Sequence, residues 1–298
     1  MKKMLILLSA LLVLGACNKK EVESPLNVRY TFDITVNSGS NQTKAVKTGW
    51  ESGDVVYVFF DNVAAPKYLK MSYNGSEWSK VMYNGATPED FEISGDGKMT
   101  AVYLPFGNDE VVSADGTSFK FSKTYTSYFL KAEKVPFTLD GSTVRGTLDM
   151  TVPEEFVQIS LTIPDGGWGY LTTPNEWPEE NHGVAYITPV SPASYYAVSF
   201  TSVTSDGTID MSKVENGNIY GYLYKGDLTF SFLLDENNFL DFSEDQLTFY
   251  LKSGDGSWIS NGDVWFHGYN YTPDPSKGLL SPGESVTIDA NKLTVGWI

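Results

Sequence analysis

The sequence predicts an all-β protein built from β-sandwiches. It contains 18 Tyr and 17 Phe alongside 27 Gly and 14 Pro, so residues that favour strands and residues that favour turns are both abundant. Three stretches, VRYTFDITV, FVQISLTIP and DLTFSFLL, alternate apolar and polar residues with the period of two that is typical of a strand with one buried face. We find no stretch with a convincing helical period, so strands are the regular elements that the pattern predicts.

The first predicted strand is VRYTFDITV. Its apolar residues share one face, which is formed by Val28, Tyr30, Phe32, Ile34 and Val36. The segment NSGSNQTKAVKTG that follows is polar and carries no strand pattern, as expected of an exposed loop that proteases can reach. The sequence therefore places a one-sided strand directly before an accessible loop.

Further strands are predicted along the rest of the chain. Asn-Gly and Asp-Gly pairs, which supply the positive φ angles of tight hairpins, separate many of them. The predicted strands are DVVYVFF, KYLKMSY, WSKVMY, KMTAVYLPF, SFKFSK, FVQISLTIP, AYITPV, YYAVSF, DLTFSFLL and QLTFYLK. The turn pairs are Asn74-Gly75, Asn84-Gly85, Asp96-Gly97, Asp115-Gly116, Asp206-Gly207 and Asp255-Gly256.

The C-terminal segment alternates in two successive phases. The members of the two phases are Val286, Ile288 and Ala290, and then Leu293, Val295 and Trp297. The slip between the phases predicts a bulge or turn near Asn291 and Lys292, followed by a terminal strand.

The N-terminus has the pattern of a secretory signal. Lys2 and Lys3 precede an apolar run over residues 4–14, which matches the charged and apolar regions of a signal peptide. The run is shorter than the roughly 20 residues that a membrane-spanning helix needs. We therefore predict that residues 1–16 are a signal peptide.

The chain's single cysteine lies directly after this segment. Leu14-Gly15-Ala16-Cys17 resembles a bacterial lipobox, in which the thiol carries a diacylglycerol. The resemblance implies a lipid on Cys17, and Asn18 after the cysteine favours a location at the outer membrane and cell surface. The polar residues that follow, with Pro25, predict a flexible tether over residues 17–27. The alternative is an ordinary signal peptide followed by a free or buried thiol.

The length predicts two domains after the tether. The chain is long enough for two sandwiches of about 100–150 residues each. The stretch STVRGTLDMTVPEE passes from strand-like sequence through a proline and paired acids into the next strand. We place the boundary there and predict an N-terminal β-sandwich over residues 28–145 and a C-terminal β-sandwich over residues 146–298.

The charge argues against two kinds of partner. The formal net charge is −16, from 37 acidic and 21 basic residues. Nucleic acids and anionic lipid surfaces both recruit clusters of Lys and Arg. We therefore expect no nucleic-acid partner, and we expect the acyl chains to provide the membrane attachment.

The sequence offers few groups for catalysis or metal binding. His182 and His267 are the two histidines, and no thiol nucleophile remains once Cys17 is lipidated. The Asp-Gly pairs lack the DxDxDG spacing of calcium loops. Two suitably placed carboxylates would serve a glycosidase, but acidic residues also solubilise an ordinary surface. We predict no enzymatic activity, no cofactor and no metal site.

One aromatic stretch supports an alternative function. In PDGGWGYLTTPNEWPEENHG, Trp168, Tyr170 and Trp177 lie among Gly, Pro and acidic residues. Exposed aromatic rings stack on sugars, so these residues are candidate glycan contacts of a surface carbohydrate-binding lipoprotein. The alternatives are that these rings cap the second sandwich or pack between the two domains, or that they contact another protein, and the sequence leaves these readings open.

Several motifs resemble the fimbrillin-like lipoproteins of the Bacteroides type. TKAVKTGWESGDVVYVFF matches the family's opening pattern, with Thr43-Lys44-Ala45, then Trp50, then Gly53-Asp54 and an apolar strand. AVYLPFG and GLLSPGESVTIDANKLTVGWI resemble two later segments of that family. The resemblance implies two tandem Greek-key, transthyretin-like β-sandwiches. On the residues alone, Trp50 is a core aromatic and Gly53-Asp54 is a turn.

The resemblance also implies a function and a route of assembly. It implies a structural or adhesive subunit of surface fimbriae, exported as a lipidated precursor, cut in the loop after the first strand and joined to other subunits by strand addition. The candidate processing residues are Lys44, Ala45 and Lys47, and the candidate donor residues are Val286, Ile288, Leu293, Val295 and Trp297. The alternative is that residues 28–36 stay in the first sandwich permanently.

The candidate processing loop departs from the Arg-directed pattern of that family. It offers lysines, because the arginines of the chain are Arg29 and Arg145. The sequence therefore leaves the identity of the processing protease open. It also leaves open whether this subunit binds a host ligand or a glycan.

Overall fold

The computed structural model describes residues 30–38, 47, 49–63, 68–82, 92–104, 111–114, 118–121, 129–162, 185–190, 195–216, 219–224, 227–234, 240–242, 246–252, 266–276 and 278–296. These residues form strands and a single 3-10 turn at Ala290–Lys292, with no α-helix among them. The all-β, sandwich-type fold is therefore confirmed. The strands are β1 (Thr31–Asn37), β2 (Val55–Phe60), β3 (Tyr68–Tyr73), β4 (Trp78–Met82), β5 (Gly97–Tyr103), β6 (Val111–Ala114), β7 (Ser118–Phe121), β8 (Leu130–Asp140), β9 (Thr143–Asp149), β10 (Val157–Thr162), β11 (Ala185–Val190), β12 (Tyr195–Thr204), β13 (Ile209–Glu215), β14 (Ile219–Tyr224), β15 (Asp227–Leu234), β16 (Leu240–Asp241), β17 (Gln246–Lys252), β18 (Phe266–Tyr271), β19 (Leu279–Leu280), β20 (Ser285–Asp289) and β21 (Thr294–Gly296).

The first sheet has seven strands in the order β1-β9-β8-β5-β2-β3-β4. β2 lies near its middle, and all six of its residues are buried, as expected of a continuous apolar strand covered on both faces. The neighbouring pairs are antiparallel except for β1 and β9, which run parallel. β1 is therefore an edge strand that runs parallel to its neighbour β9, whereas the other pairs of this sheet are antiparallel.

The second sheet follows the order β21-β18-β17-β11-β14-β15-β12-β7-β6, and β10, β13 and β20 join it from the side. β15 contains DLTFSFLL, which predicted one buried face. The structure corrects this, because Thr229 and Ser231 on the opposite face are also fully buried. Gln158 donates to the Ser231 hydroxyl at 3.0 Å, and the hydroxyls of Ser160 and Thr229 are 2.8 Å apart. The polar side chains between β10 and β15 therefore hydrogen-bond to each other, as buried polar groups generally do.

The buried apolar side chains form two clusters. The first cluster contains the buried apolar residues of β1, β2, β3, β5, β8 and β9 and of the segment up to Phe156, whereas the second cluster begins at Val157. Val198, Phe200 and Val203 of β12 also belong to the first cluster. A strand from the second half of the chain therefore covers the core of the first half.

The change of core lies downstream of the predicted domain boundary. Residues 145 and 146 both lie within β9, which pairs with β1 along its whole length. The division into residues 28–145 and 146–298 stays a prediction. The packing itself changes between Phe156 and Val157.

A bulge in β8 hid this strand from the sequence pattern. Its pairing with β5 shifts register once, and Lys134 adopts a φ of 54°. The extra residue changes the inward phase, so Ala132 and Phe137 are both buried although they are an odd number of positions apart. Together with the charged residues and Pro136, this phase change removes the alternation that predicts a strand.

Two predicted turns connect neighbouring strands in the expected way. Asn74-Gly75 joins β3 to β4, Asp206-Gly207 joins β12 to β13, and the φ angles of the glycines are 100° and 80°. Asp96-Gly97 leads into β5. The remaining pairs, Asn84-Gly85, Asp115-Gly116 and Asp255-Gly256, lie outside the described residues.

The β12–β13 turn docks on the β8 bulge. The buried Thr100 hydroxyl donates to the Gly207 carbonyl at 2.7 Å and accepts the Lys134 amide N–H at 3.1 Å. Lys134 Nζ also lies 3.2 Å from Asp206 Oδ2 on the surface. A hairpin from the second half is thereby fastened to the first sheet.

Candidate site for strand addition

β1 lies at the edge of the first sheet, with β9 as its ladder neighbour. Phe32, Ile34 and Val36 are 4%, 6% and 6% exposed, and the residues between them are exposed. The predicted alternation of this strand is confirmed, with Tyr30 half-buried and Val28 outside the described residues. β1 therefore buries a row of three apolar side chains, and among the described strands its backbone pairs with β9 alone.

The two ends of β1 are held by backbone hydrogen bonds. Thr31 N–H donates to the Ser142 carbonyl at 2.9 Å, and Met150 N–H donates to the Asn37 carbonyl at 3.1 Å. An ion pair of 2.6 Å joins Arg145 to Asp33 on the outer face, where both side chains are more than half exposed. Because exposed ion pairs contribute little to stability, the apolar row and the ladder are the main attachments of β1.

Trp50 contacts β1 from outside the β1–β9 ladder. Its indole Nε1–H donates to the Val36 carbonyl at 3.1 Å. Its ring packs edge-on against Trp78 and Tyr103, with centroid distances of 5.1 and 5.3 Å. The ring is packed against the first core, which confirms the interpretation of Trp50 as a core aromatic.

Gly53 and Asp54 form the turn that leads into β2. Gly53 has a φ of 99°, a conformation that favours glycine. Gly53 N–H donates to the Tyr73 carbonyl at 2.8 Å, and Tyr73 N–H donates to the Asp54 carbonyl at 2.9 Å. The turn is thus fixed to β3, as the sequence predicted for a turn feeding a strand.

Lys47 lies at the same corner and is buried. Its side chain is 1% exposed, and Nζ lies 3.0 Å from Asp54 Oδ2 and 3.5 Å from Glu51 Oε2. Nζ also lies 5.5 Å from the centroid of the Tyr103 ring, whose hydroxyl donates to Asp54 Oδ1 at 3.0 Å. These contacts surround the ammonium group with negative charge and an aromatic face.

The burial of Lys47 corrects its assignment as a candidate processing residue in an accessible loop. A protease needs an exposed backbone segment around the bond that it cuts, and this end of the segment is packed into the protein. The polar sequence gave no sign of the burial, because the partners of Lys47 come from the following turn and from β5. Lys44 and Ala45, the other two candidates, lie outside the described residues.

The candidate donor segment belongs to the second core in this chain. β20 pairs in parallel with β10, and β21 pairs antiparallel with β18 at the sheet edge. Ile288 and Leu293 are buried and Val286 is half-buried. The 3-10 turn at Ala290–Lys292 separates the two strands, which confirms the break in phase predicted from the sequence.

Several sequence-predicted residues lie outside the part of the chain that the structure describes. They are the lipidation site Cys17, the candidate glycan contacts Trp168, Tyr170 and Trp177, and the last candidate donor residue, Trp297. Val295 lies in β21. The roles of Cys17, Trp168, Tyr170, Trp177 and Trp297 stay predictions.

Among the described residues, the features that could mark a site are clustered metal ligands and titratable groups with shifted pKa values. No three His, Cys, Asp or Glu side chains of these ranges are grouped so as to hold a metal ion. Hydrogen bonds from Thr204, Lys134 and Thr208 lower the pKa of Asp206 below its ordinary value, and burial raises the pKa of Tyr271, whose hydroxyl donates to the Phe242 carbonyl. No described helix is long and apolar enough to span a membrane.

Comparison with known protein families finds no match, and comparison with curated proteins finds none either. Among solved structures, the chain is similar to a candidate cell-adhesion protein of Bacteroides uniformis, with a TM-score of 0.43, 15% identity and coverage of 88% of this chain and 95% of that one. It is also similar to a fimbrial protein of Bacteroides ovatus, with a TM-score of 0.30, 12% identity and coverage of 90% and 50%.

A third similar structure is the fimbrial anchor protein of Porphyromonas gingivalis. The TM-score is 0.30, the identity is 11%, and the match covers 73% of this chain and 76% of that one.

Proposed function

We propose that this protein is a structural or adhesive subunit of surface fimbriae, without enzymatic activity, that is assembled by exchange of its first strand. The observation that carries the proposal is the geometry of β1. Three of its side chains are buried in the first core, yet its backbone joins the sheet at an edge, where β9 is its one neighbour among the strands that the structure describes. A strand with these properties is replaceable by another extended segment of matching pattern.

The energetics favour replacement over an empty groove. Burying an apolar side chain of this size contributes about 1.5–3 kcal/mol, so Phe32, Ile34 and Val36 together contribute roughly 5–9 kcal/mol. That is comparable to the entire stability of a typical domain, about 5–15 kcal/mol. Removal of β1 would also leave the outer edge of β9 without backbone partners. A subunit that lost this strand would therefore bind a substitute strongly.

The proposed substitute is the C-terminal segment of a neighbouring subunit. Its residues 286–290 have the same period of two as β1, and β20 already pairs in the parallel sense with β10 in its own chain. Over β20 (Ser285–Asp289), the segment therefore has both the apolar alternation and the extended conformation that the groove of β9 requires. Release of β20 and β21 from the second core would accompany donation.

The precursor is proposed to reach the cell surface as a lipoprotein attached through Cys17. Proteolysis in the loop after β1 would then separate the subunit from its lipid and permit removal of β1. The partners are other fimbrial subunits, identical or related, and the outer membrane holds the uncut precursor. The similar solved structures include a candidate cell-adhesion protein, a fimbrial protein and a fimbrial anchor protein, which is consistent with a fimbrial role.

The proposal is tested by the N-terminal residue of protein recovered from shed filaments. We expect chains that begin within residues 38–46, together with a Cys17→Ser precursor that incorporates no palmitate analogue. Filaments whose subunits all retain an acylated Cys17 would contradict strand exchange. Cells that form the same filaments without this gene, and lose binding to a glycan, would favour a carbohydrate-binding role.

A further inference from the structure

We infer that a corner formed by Lys47, Trp50, Asp54 and Tyr103 sets the downstream limit of the removable segment. On this view, which rests on the proposed function, the bond after Lys47 is protected, so that a productive cut has to lie upstream of Lys47. The corner then stays with the mature subunit after β1 has left.

The first support is the charge arrangement around Lys47. Its ammonium group is 3.0 Å from a carboxylate that is itself 11% exposed. The same carboxylate accepts the Tyr103 hydroxyl at 3.0 Å and the Glu51 backbone N–H at 2.6 Å. Opening the corner would strip a buried charge of its partners, which is costly because both ions are already desolvated.

The second support is the way the corner is joined to the body of the sheet. The turn at Gly53 and Asp54 shares two backbone hydrogen bonds with Tyr73 of β3. Tyr103 lies in β5 and is itself buried. Lys47 is therefore attached through Asp54 and Tyr103 to the central strands β2, β3 and β5, which do not depend on β1 for their pairing.

The third support is the contact between the corner and β1. Trp50 donates to the Val36 carbonyl at 3.1 Å and is packed against Trp78 and Tyr103. When β1 leaves, the indole stays with the corner and its N–H becomes available to the carbonyl of an incoming strand. Trp50 would then mark the end of the groove for whichever strand occupies it.

The experiment is limited digestion of the full chain with a lysine-specific endoprotease, followed by mass spectrometry of the cut sites. In the native protein we expect cleavage after Lys47 to be slower than in the urea-unfolded chain by about a hundredfold or more, because the cut requires local opening. Asp54→Asn should accelerate native cleavage after Lys47 by about tenfold or more, since it removes the nearest negative charge from the buried ammonium group.

Glu77→Gln is the matched control, because it removes an exposed carboxylate from the neighbouring β3–β4 turn that is not among the contacts of Lys47. It should leave the rate unchanged. If Asp54→Asn does not fold, Tyr103→Phe provides the test, since it removes one hydrogen bond to Asp54 and should give a smaller acceleration. Native cleavage after Lys47 at the rate of the unfolded chain would overturn the inference, and so would full protection in a folded Asp54→Asn variant.

The outcome separates this inference from the proposed function. The digestion requires no polymerisation, so protection of Lys47 in a protein that never forms filaments would contradict only the fimbrial role. Filament subunits that begin at Thr48 or later would contradict only the protective corner.

Discussion

At the scale of single residues, Trp50 connects β1 to a part of the chain that β1 does not pair with. The contact is one hydrogen bond, from the indole N–H to the Val36 carbonyl, supported by edge-on packing with Trp78 and Tyr103. The sequence identified Trp50 as a core aromatic from its motif, but its polar contact depends on where the chain returns in space. The hydrogen bond of Trp50 to β1 could not be predicted from the sequence, because it depends on the tertiary structure.

We predict that Trp50→Phe loosens β1 while preserving the fold. The substitution keeps an aromatic ring and removes the indole N–H, which should cost about 0.5–1.5 kcal/mol of stability. Hydrogen exchange should show faster exchange for the amides of β1 and little change in β2 and β3. Uniformly faster exchange across the sheet would mean that Trp50 supports the core in general rather than the end of β1.

Asp206 is a residue whose charge state should affect stability at low pH. Its folded-state pKa lies below its ordinary value, because Thr204, Lys134 and Thr208 bond the carboxylate. The contribution is therefore present at pH values above the ordinary pKa near 3.8 and is lost as the pH falls towards the folded-state pKa. Urea unfolding of the wild type and Asp206→Asn should show a difference that is constant at neutral pH and shrinks below about pH 4. A stability difference between the two proteins that grows on acidification would contradict a lowered folded-state pKa of Asp206.

At the scale of elements, the sequence predicted strands whose alternation is uninterrupted and missed β8, whose phase changes. β1 and β10 were predicted with their buried faces, because each presents apolar residues at every second position. β8 was missed because the bulge at Lys134 shifts its inward phase, and β15 was predicted with one buried face although both are buried. The parallel pairing of β1 with β9 depends on the path of the whole chain, which periodicity does not encode.

The docked turn between β12 and β13 should be unusually sensitive to a methyl group. At Gly207 a Cβ would lie 2.7 Å from the Thr100 hydroxyl, and φ is +80°. At Gly141, φ is +61° and no atom lies within 4 Å of the added Cβ. Both alanine variants carry backbone strain of about 1–2 kcal/mol, but only Gly207→Ala also disturbs a buried contact. Urea unfolding should show a larger loss for Gly207→Ala, and equal losses would mean that the docking contributes nothing.

At the scale of the whole molecule, the two halves share one of their cores. Val198, Phe200 and Val203 belong to the same buried cluster as residues of β1, β2, β3, β5, β8 and β9. The chain therefore returns to complete the first core after it has begun the second. Length and composition predicted two sandwiches but carried no information on this return, because the sequence records order along the chain and not proximity. The candidate donor segment shows the same dependence, since its residues lie in the second core of their own chain.

Shared packing predicts the behaviour of fragments. A fragment that ends at Phe156 lacks the β12 side chains that cover the first core, so it should not unfold cooperatively by itself. Adding the complementary fragment from Val157 onward should restore a cooperative transition, measured by near-ultraviolet circular dichroism during urea unfolding. A cooperative transition of the first fragment alone would contradict the shared core.

The central claim is that β1 must leave its groove before subunits can assemble, and a reversible disulfide tests it most directly. Thr35 and Thr147 are exposed partners in the β1–β9 register, and neighbouring strands lie within the Cα separation that a disulfide spans. A chain with Thr35→Cys and Thr147→Cys, cut in the loop after β1, should form no filaments when oxidised and should form them after reduction. A matched pair at Ser72 and Ser79, which are partners in the β3–β4 register at the far edge of the same sheet, should assemble in both states. Filaments of normal length from the oxidised Thr35→Cys, Thr147→Cys chain would contradict the account.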